Sequence, residues 1–165
     1  PGNLLDPRLA PDGQRGVVGE DGPHGTEWWR LDLARDTTPR FNVGAGSSEI
    51  PLWSPDGNEI VFSSNRDGVY SLYRKPANGA KEEELLLRTK QNIGAFCWSR
   101  VGQFMLYDSS PGPTFVTRDW WVRPLEGERT RLPFIQTRFV EVMGASTRSG
   151  RSMASISDET GREVG

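Results

Sequence analysis

A four-residue turn recurs at a nearly constant interval along this chain, and that recurrence constrains the fold more than any other feature. Ala10-Pro11-Asp12-Gly13, Ser54-Pro55-Asp56-Gly57, Ser99-Arg100-Val101-Gly102 and Thr147-Arg148-Ser149-Gly150 place their closing glycines 44, 45 and 48 residues apart. The register extends beyond the turn. Leu9, Trp53 and Trp98 precede it at one offset, and an apolar run follows it: Val17-Val18, Ile60-Val61-Phe62 and Met105-Leu106-Tyr107. A bulky pair comes next, as Trp28-Trp29, Leu72-Tyr73 and Trp120-Trp121. Self-similarity at such a period marks a repeat architecture, in which each unit buries its apolar face against its neighbours.

Residues 49–90 hold the clearest copy of the unit. Ser54 opens the turn, Pro55 fixes φ, Asp56 supplies a side-chain acceptor, and Gly57 is free to take φ > 0. Short segments rich in β-formers, 49–53 and 59–63, flank it as strands. Asn65-Arg66-Asp67-Gly68 makes the next reversal. Residues 70–75 alternate in the two-residue period of a third strand, Asn78-Gly79 turns again, and 84–88 form an outer strand. Four antiparallel strands per repeat are the blade of a β-propeller. An unrelated β-sandwich also gives strands at this spacing, but does not account for a recurrence of 44–48 residues. The expected fold is therefore all-β: a propeller-type array of about three and a half four-stranded antiparallel blades, an incomplete ring. It forms one partial propeller over residues 1–165, with repeats at approximately 1–44, 45–90, 91–136 and 137–165, the last unfinished.

The stretch Leu52-Trp53-Ser54-Pro55-Asp56-Gly57-Asn58-Glu59-Ile60-Val61-Phe62-Ser63-Ser64-Asn65-Arg66-Asp67-Gly68 resembles the TolB-type propeller repeat, and Leu72-Tyr73-Arg74-Lys75-Pro76 continues the pattern. More narrowly, the repeats resemble the C-terminal propeller arrays of large bacterial proteins, especially of Acidobacteria. There such arrays follow a serine/threonine kinase domain or a winged-helix DNA-binding domain. Similar repeats form the gating propeller of prolyl oligopeptidase-like enzymes, which carries no catalytic triad itself. The likeness is sharpest in the second repeat and weakest in the fourth. The third repeat replaces Pro-Asp of the turn with Arg100-Val101, the first has Gly16 where Ile60 and Met105 stand, and the fourth has Ser146 at the Trp53 position.

Composition narrows the function classes. With 19 Gly and 12 Pro the chain is no helical bundle, and six Trp argue against wholesale disorder. Twenty basic against 22 acidic residues, a net charge of −2, leave no general basic surface for nucleic acid. No apolar run approaches the roughly 20 residues of a membrane-spanning helix, so no membrane insertion is expected. Cytoplasmic and extracytoplasmic locations both remain open. The single cysteine, Cys97, excludes an intramolecular disulfide and reads as a buried structural thiol. The single histidine, His24, excludes a multi-His metal site. No metal and no cofactor are expected. No G-x-S-x-G elbow, P-loop, H-E-x-x-H or kinase signature is present. Glu82-Glu83-Glu84 reads as a solvated strand start.

In propellers, the loops from second to third strands and from a fourth strand to the next blade share one face, and variable loops on a rigid scaffold are where binding is expected. The second-to-third loops here are 20–27, 65–69 and 108–119, which carry His24, Arg66, Asp67, Arg118 and Asp119 as binding candidates. Alternation buries one member of each tryptophan pair, leaving Trp29 and Trp121 as candidates for an aromatic surface, while Trp53 and Trp98 read as core. The expected function is a non-catalytic propeller module that binds a protein or peptide partner or a ligand, within a larger bacterial sensor or regulator. Self-association is expected to cover the open propeller edges, and the unfinished last repeat suits either such association or a piece of a longer protein. Two alternatives stand beside it. One is a hydrolase or hydrolase-associated propeller, such as a glycosidase, an esterase or a prolyl oligopeptidase-like gating domain. The other is a carbohydrate-binding propeller.

Overall fold

Thirteen strands run through the described residues of the computed structural model, which are 4–22, 25–41, 46–112, 118–126, 130–135, 141–146 and 153–157. Each turn of the repeat opens a hairpin, so the strands group by repeat. The first blade holds β1 (Leu4–Leu9), β2 (Arg15–Gly22) and β3 (Gly25–Asp32); the second holds β4 (Ser48–Trp53), β5 (Glu59–Ser64), β6 (Ser71–Pro76) and β7 (Glu84–Leu87). The third holds β8 (Asn92–Trp98), β9 (Phe104–Ser110), β10 (Asp119–Pro124) and β11 (Leu132–Ile135), and the fourth β12 (Glu141–Ser146) and β13 (Met153–Ser157). Strand order within every sheet follows the chain, and the pairings are antiparallel. In the first blade residues 37–41 take the place of a fourth strand: the Arg30 N–H donates to the Pro39 carbonyl (2.9 Å) and the Phe41 N–H to the Trp28 carbonyl (2.7 Å).

The turns show why the repeat is written as it is. In the second blade the Gly57 N–H donates to the Ser54 carbonyl at 2.9 Å, and the Ser54 Oγ donates to Asp56 at 2.6 Å while accepting the Glu59 N–H at 2.9 Å. In the third blade Arg100-Val101 removes that carboxylate, yet Ser99 still accepts the Phe104 N–H (3.0 Å) and the Gly102 N–H still closes on the Ser99 carbonyl (2.8 Å). The serine and glycine carry the turn; proline and aspartate reinforce it.

Inner strands adjoin in order, β4 against both β1 and β8, and β8 against β12, so the sheets lie as successive blades of an open array. The second blade is sandwiched, and alternation sends successive residues of one strand to opposite seams. Ile60, Phe62 and Tyr73 join Ala10, Val17, Trp28 and Phe41 in the core between the first and second blades. Val61 and Leu72 join Ile93, Ala95, Met105 and Tyr107 in the core between the second and third. Burying a ring or a branched side chain contributes roughly 1.5–3 kcal/mol, so these two seams hold the array together. Gly16 suits a close approach of backbone: a Cβ there would lie 3.2 Å from the Arg8 carbonyl oxygen, with methyl carbons of Leu9 and Leu31 in ordinary contact at 3.5 Å.

Three local expectations need correction. Cys97 is half-buried rather than buried, because the ladder to β9 shifts register between Ala95 and Cys97. The 20–27 segment is no long loop: Glu20 pairs with Glu27 and Asp21 with Thr26, so the hairpin closes at Gly22 and Gly25. Glu83 is not solvated, since its side chain is 6% exposed between two cations. Trp53 is core, its indole N–H donating across to the Arg8 carbonyl of β1 at 3.2 Å. Trp98 instead donates to the Gly102 carbonyl of its own turn (3.2 Å) and stays half-buried.

Candidate functional site

The loop face collects the β2–β3, β5–β6 and β9–β10 turns and the connections from one blade to the next. Glycine lets these loops touch backbone to backbone. A Cβ on Gly46, at φ 90°, would fall 3.0 Å from both Arg66 Cα and Asn65 Oδ1, and one on Gly25 would fall 3.0 Å from the Gly46 carbonyl oxygen. Asn65 completes the interlock by accepting the Ser47 N–H at 3.0 Å.

Arg66 leaves this loop and lies along the first seam, its guanidinium 4.2 Å from the Tyr73 ring centre and 2.5 Å from Glu83. Lys75 reaches the other Glu83 oxygen at 3.3 Å. Burial alone would raise the Glu83 carboxyl, but hydrogen bonding and charge from Arg66, with help from Lys75, hold it below its ordinary value. Arg66 is thus tied into the second blade beside the seam rather than presented to a ligand. Asp67 is exposed; it accepts the Tyr73 hydroxyl (2.8 Å) and pairs with Arg88. The Tyr73 hydrogen bond is the main reason its carboxyl is lowered. Tyr70 donates to Glu49 at 2.8 Å, and burial followed by that bond pushes its phenol up to about 12.

Arg118 stands at the third blade, 3.1 Å from Asp108 and 5.8 Å from the Phe96 ring centre. Asp108 is fully buried in β9 with neither carboxylate oxygen in an aligned hydrogen bond among the described residues. Burial pushes its carboxyl up to about 6, and the Arg118 charge offsets only part of that. His24 lies outside the described residues. Trp29 is half-buried on the outward side of the first blade, beside Val18 and Leu31. The predicted residues therefore do not form one cluster: Arg66 and Asp67 stand together on the second blade, Arg118 pairs within the third, and Trp29 faces away from both.

Asp119 and Trp121 do meet. They line a hollow of about 540 Å³ between the second and third blades, opposite Arg88, Thr89, Lys90 and Gln91, with Arg131 completing the wall. Trp121 is fixed there by donating its indole N–H to Ser109 (2.9 Å), and the Arg131 guanidinium stacks 4.1 Å from its ring centre. Three cations, one carboxylate and one indole suit a ligand carrying negative charge and a flat or apolar group. Arg88 and Lys90 follow a fourth strand, on the connection to the next blade; the signal was their place on that connection. Arg131 reaches the site from the start of β11 and has no local sequence signal. Among the described residues no group of three or more His, Cys, Asp or Glu is gathered to hold a metal ion.

No family model matches the chain. It is 28% identical over 117 residues to the uncharacterized peptidase YuxL of Bacillus subtilis, a match covering 67% of this chain and 18% of the peptidase. Its structure is similar to that of a TolB protein from Agrobacterium tumefaciens, with a TM-score of 0.69, 18% identity, and coverage of 82% of this chain and 49% of that one. A prolyl endopeptidase superposes with a TM-score of 0.71 and 12% identity over 96% of this chain and 25% of its own. The chain thus spans less than half the length of each of these proteins. Taken with the blades and their seams, these likenesses establish the fold as an open TolB-type β-propeller array.

Proposed function

We propose that the chain is a non-catalytic interaction module, a propeller segment of a larger bacterial sensor or regulator that takes a protein or peptide partner on its loop face. The observation that carries this reading is the hollow between the second and third blades, where Arg88, Lys90 and Arg131 surround Trp121 and Asp119. Its cations favour a segment bearing carboxylates, and Trp121 offers a surface for a side chain. The same reading includes self-association that covers the open propeller edges. The test is a labelled library of acidic and neutral peptides titrated against the chain. Acidic members are expected to bind, and K90E combined with R131E to weaken them about tenfold or more. The exposed cation Arg35, at the end of the first blade's β3 hairpin, serves as the control. Binding indifferent to K90E/R131E, or no binding by any member, overturns this reading.

A second reading has one specific observation behind it, the 28% identity to a peptidase. In it the segment is the propeller of a peptidase-like protein, with the chemistry carried by parts this chain does not span. Peptide and ester turnover by the 165-residue chain itself, lost in His24→Ala, would sink the binding-only reading.

A further inference from the structure

We propose that the turn face of the molecule, the end opposite the loop face, carries a second site in which Trp98 takes an uncharged oligosaccharide. The starting point is a difference between two equivalent residues. Trp53 of the second blade is 6% exposed: its indole N–H donates to the Arg8 carbonyl of the first blade (3.2 Å), and the Arg15 guanidinium lies 5.5 Å from its ring centre. Trp98 holds the same place in the third blade, 45 residues on. Its indole N–H turns back to the Gly102 carbonyl of its own turn (3.2 Å), and the ring stays half-buried. Two hollows open against it. One, of about 300 Å³, runs between the blades toward Arg74 and Arg123; the other, of about 340 Å³, runs between the Ser54-Pro55-Asp56 turn and Arg100. Glu59, Trp98 and Gly102 line both, so the two form one trough with the indole at its middle. Each half is at the lower end of the roughly 300–1,000 Å³ of small-ligand pockets.

The charges along the trough balance. Arg74, Arg100 and Arg123 are matched by Asp56, Glu59 and Glu126, whereas the hollow around Trp121 sets three cations against one carboxylate. A charged ligand would be drawn by half of these groups and opposed by the other half. A neutral ligand whose groups both donate and accept can use them all. Arg74 and Glu59 show the spacing: Nη1 and Oε1 lie 3.8 Å apart, too far for a hydrogen bond. A hydroxyl set beside them would accept from the guanidinium and donate to the carboxylate. A sugar ring carries such hydroxyls around its rim and an apolar C–H face that can lie on an indole. A neutral peptide also donates and accepts, but through a backbone that pairs with open strand edges. The turns on either side of Trp98 offer none, since the Gly57 N–H closes on the Ser54 carbonyl (2.9 Å) and the Gly102 N–H on the Ser99 carbonyl (2.8 Å). A hollow on each side of the indole suits more than one ring, so affinity should grow with the length of the saccharide.

The test is a titration of the 165-residue chain, read by tryptophan fluorescence and calorimetry. The probes are the uncharged hexasaccharides of glucose, mannose and N-acetylglucosamine with their monosaccharides, beside anionic galacturonate and cationic glucosamine hexamers. At least one uncharged hexasaccharide is expected to bind with a Kd of about 1 mM or tighter, about tenfold tighter than its monosaccharide and than either charged hexamer. Trp98→Ala is expected to weaken it about tenfold or more. Arg74→Ala, at an exposed guanidinium that leaves the core untouched, should weaken it about threefold. Trp121→Ala and K90E/R131E should leave it unchanged, so failure of peptide binding on the loop face and failure of this site are read separately. A further measurement needs no variant: in the nitrogen-15-labelled chain the Trp98 indole N–H signal should move on adding the hexasaccharide while that of Trp121 stays. The proposal is overturned if no uncharged hexasaccharide binds up to about 10 mM, or if a charged hexamer binds more tightly. It is equally overturned by binding indifferent to both Trp98→Ala and Arg74→Ala, or by a neutral peptide of the library above moving the Trp98 signal at lower concentration than any saccharide.

Discussion

The seam between the first and second blades and the seam between the second and third use equivalent positions, yet they close differently. In the first, Trp28 and Phe41 meet Phe62, Tyr73 and Trp53, and the residual space among Val17, Trp28, Phe41, Pro51 and Phe62 is only about 10 Å³. Arg66, laid over Tyr73 and held by a buried Glu83, covers the second blade's side of its edge. In the second, Leu52, Leu86, Leu87, Trp98 and Trp121 are half-buried. Hollows open at both its ends, about 540 Å³ on the loop face and about 300 Å³ beside Trp98 and Arg123. A seam filled by interlocking rings leaves no room for a guest. Where the edge is built largely from half-buried aliphatic side chains, a cleft remains, and that is where a ligand has access.

The largest expected effects test the buried ion cluster of the second blade and the ring packing beside it. Glu83→Ala leaves Arg66 and Lys75 facing each other without their shared carboxylate. It should cost about 3–5 kcal/mol in denaturant unfolding, against a few tenths for the exposed neighbour Glu84→Ala. Phe62→Ala in the closed seam should cost about 3–5 kcal/mol, and Leu86→Ala in the open one about 1–2 kcal/mol. Equal costs for the last pair would erase the distinction between the seams.

Asp108 provides a smaller and opposite effect. Its folded pKa, about 6, lies above the ordinary aspartate value, so folding favours the protonated form. Its contribution to stability is complete below about pH 4, falls as pH rises to about 6, and is flat beyond; a shift of about two units corresponds to roughly 3 kcal/mol. Asp108→Asn should remove that slope and raise stability at pH 7 by about 2 kcal/mol, part being returned with the Arg118 pair. Urea unfolding between pH 4 and pH 7 reads both numbers, and an unchanged slope would refute the assignment. The smallest effect belongs to the turns: Asp56→Ala should cost about 1 kcal/mol, since Ser54 and Gly57 keep the hairpin closed, as Ser99 and Gly102 do without an aspartate.

Local chemistry made the hairpins readable. The Ser-Pro-Asp-Gly turn, Asp67-Gly68 and Asn78-Gly79 each place a glycine at φ > 0, and the structure turns at all three. Alternation likewise foretold that Trp28 and Trp120 would be buried and their neighbours less so. What the sequence hid depends on how strands and blades lie against one another. Glu83 sits in an acidic run that looks solvated, and its two cations come from positions 8 and 17 residues earlier on the same blade. The hollow around Trp121 draws Arg88 and Lys90 from one segment and Arg131 from another, and their approach depends on how one blade lies against the next. Gly16 looks like a defect in an apolar run until the Arg8 carbonyl of the neighbouring strand is seen to lie close over it.

The alternation along β5 carries a consequence for how such arrays change over time. Ile60 and Phe62 are read by the preceding blade, Val61 by the following one. A single strand spells two interfaces in alternate letters, so a substitution can retune one joint while the other keeps its fit. Blades of this kind can be lengthened, exchanged or rematched one joint at a time, which a core shared by all its strands would not permit.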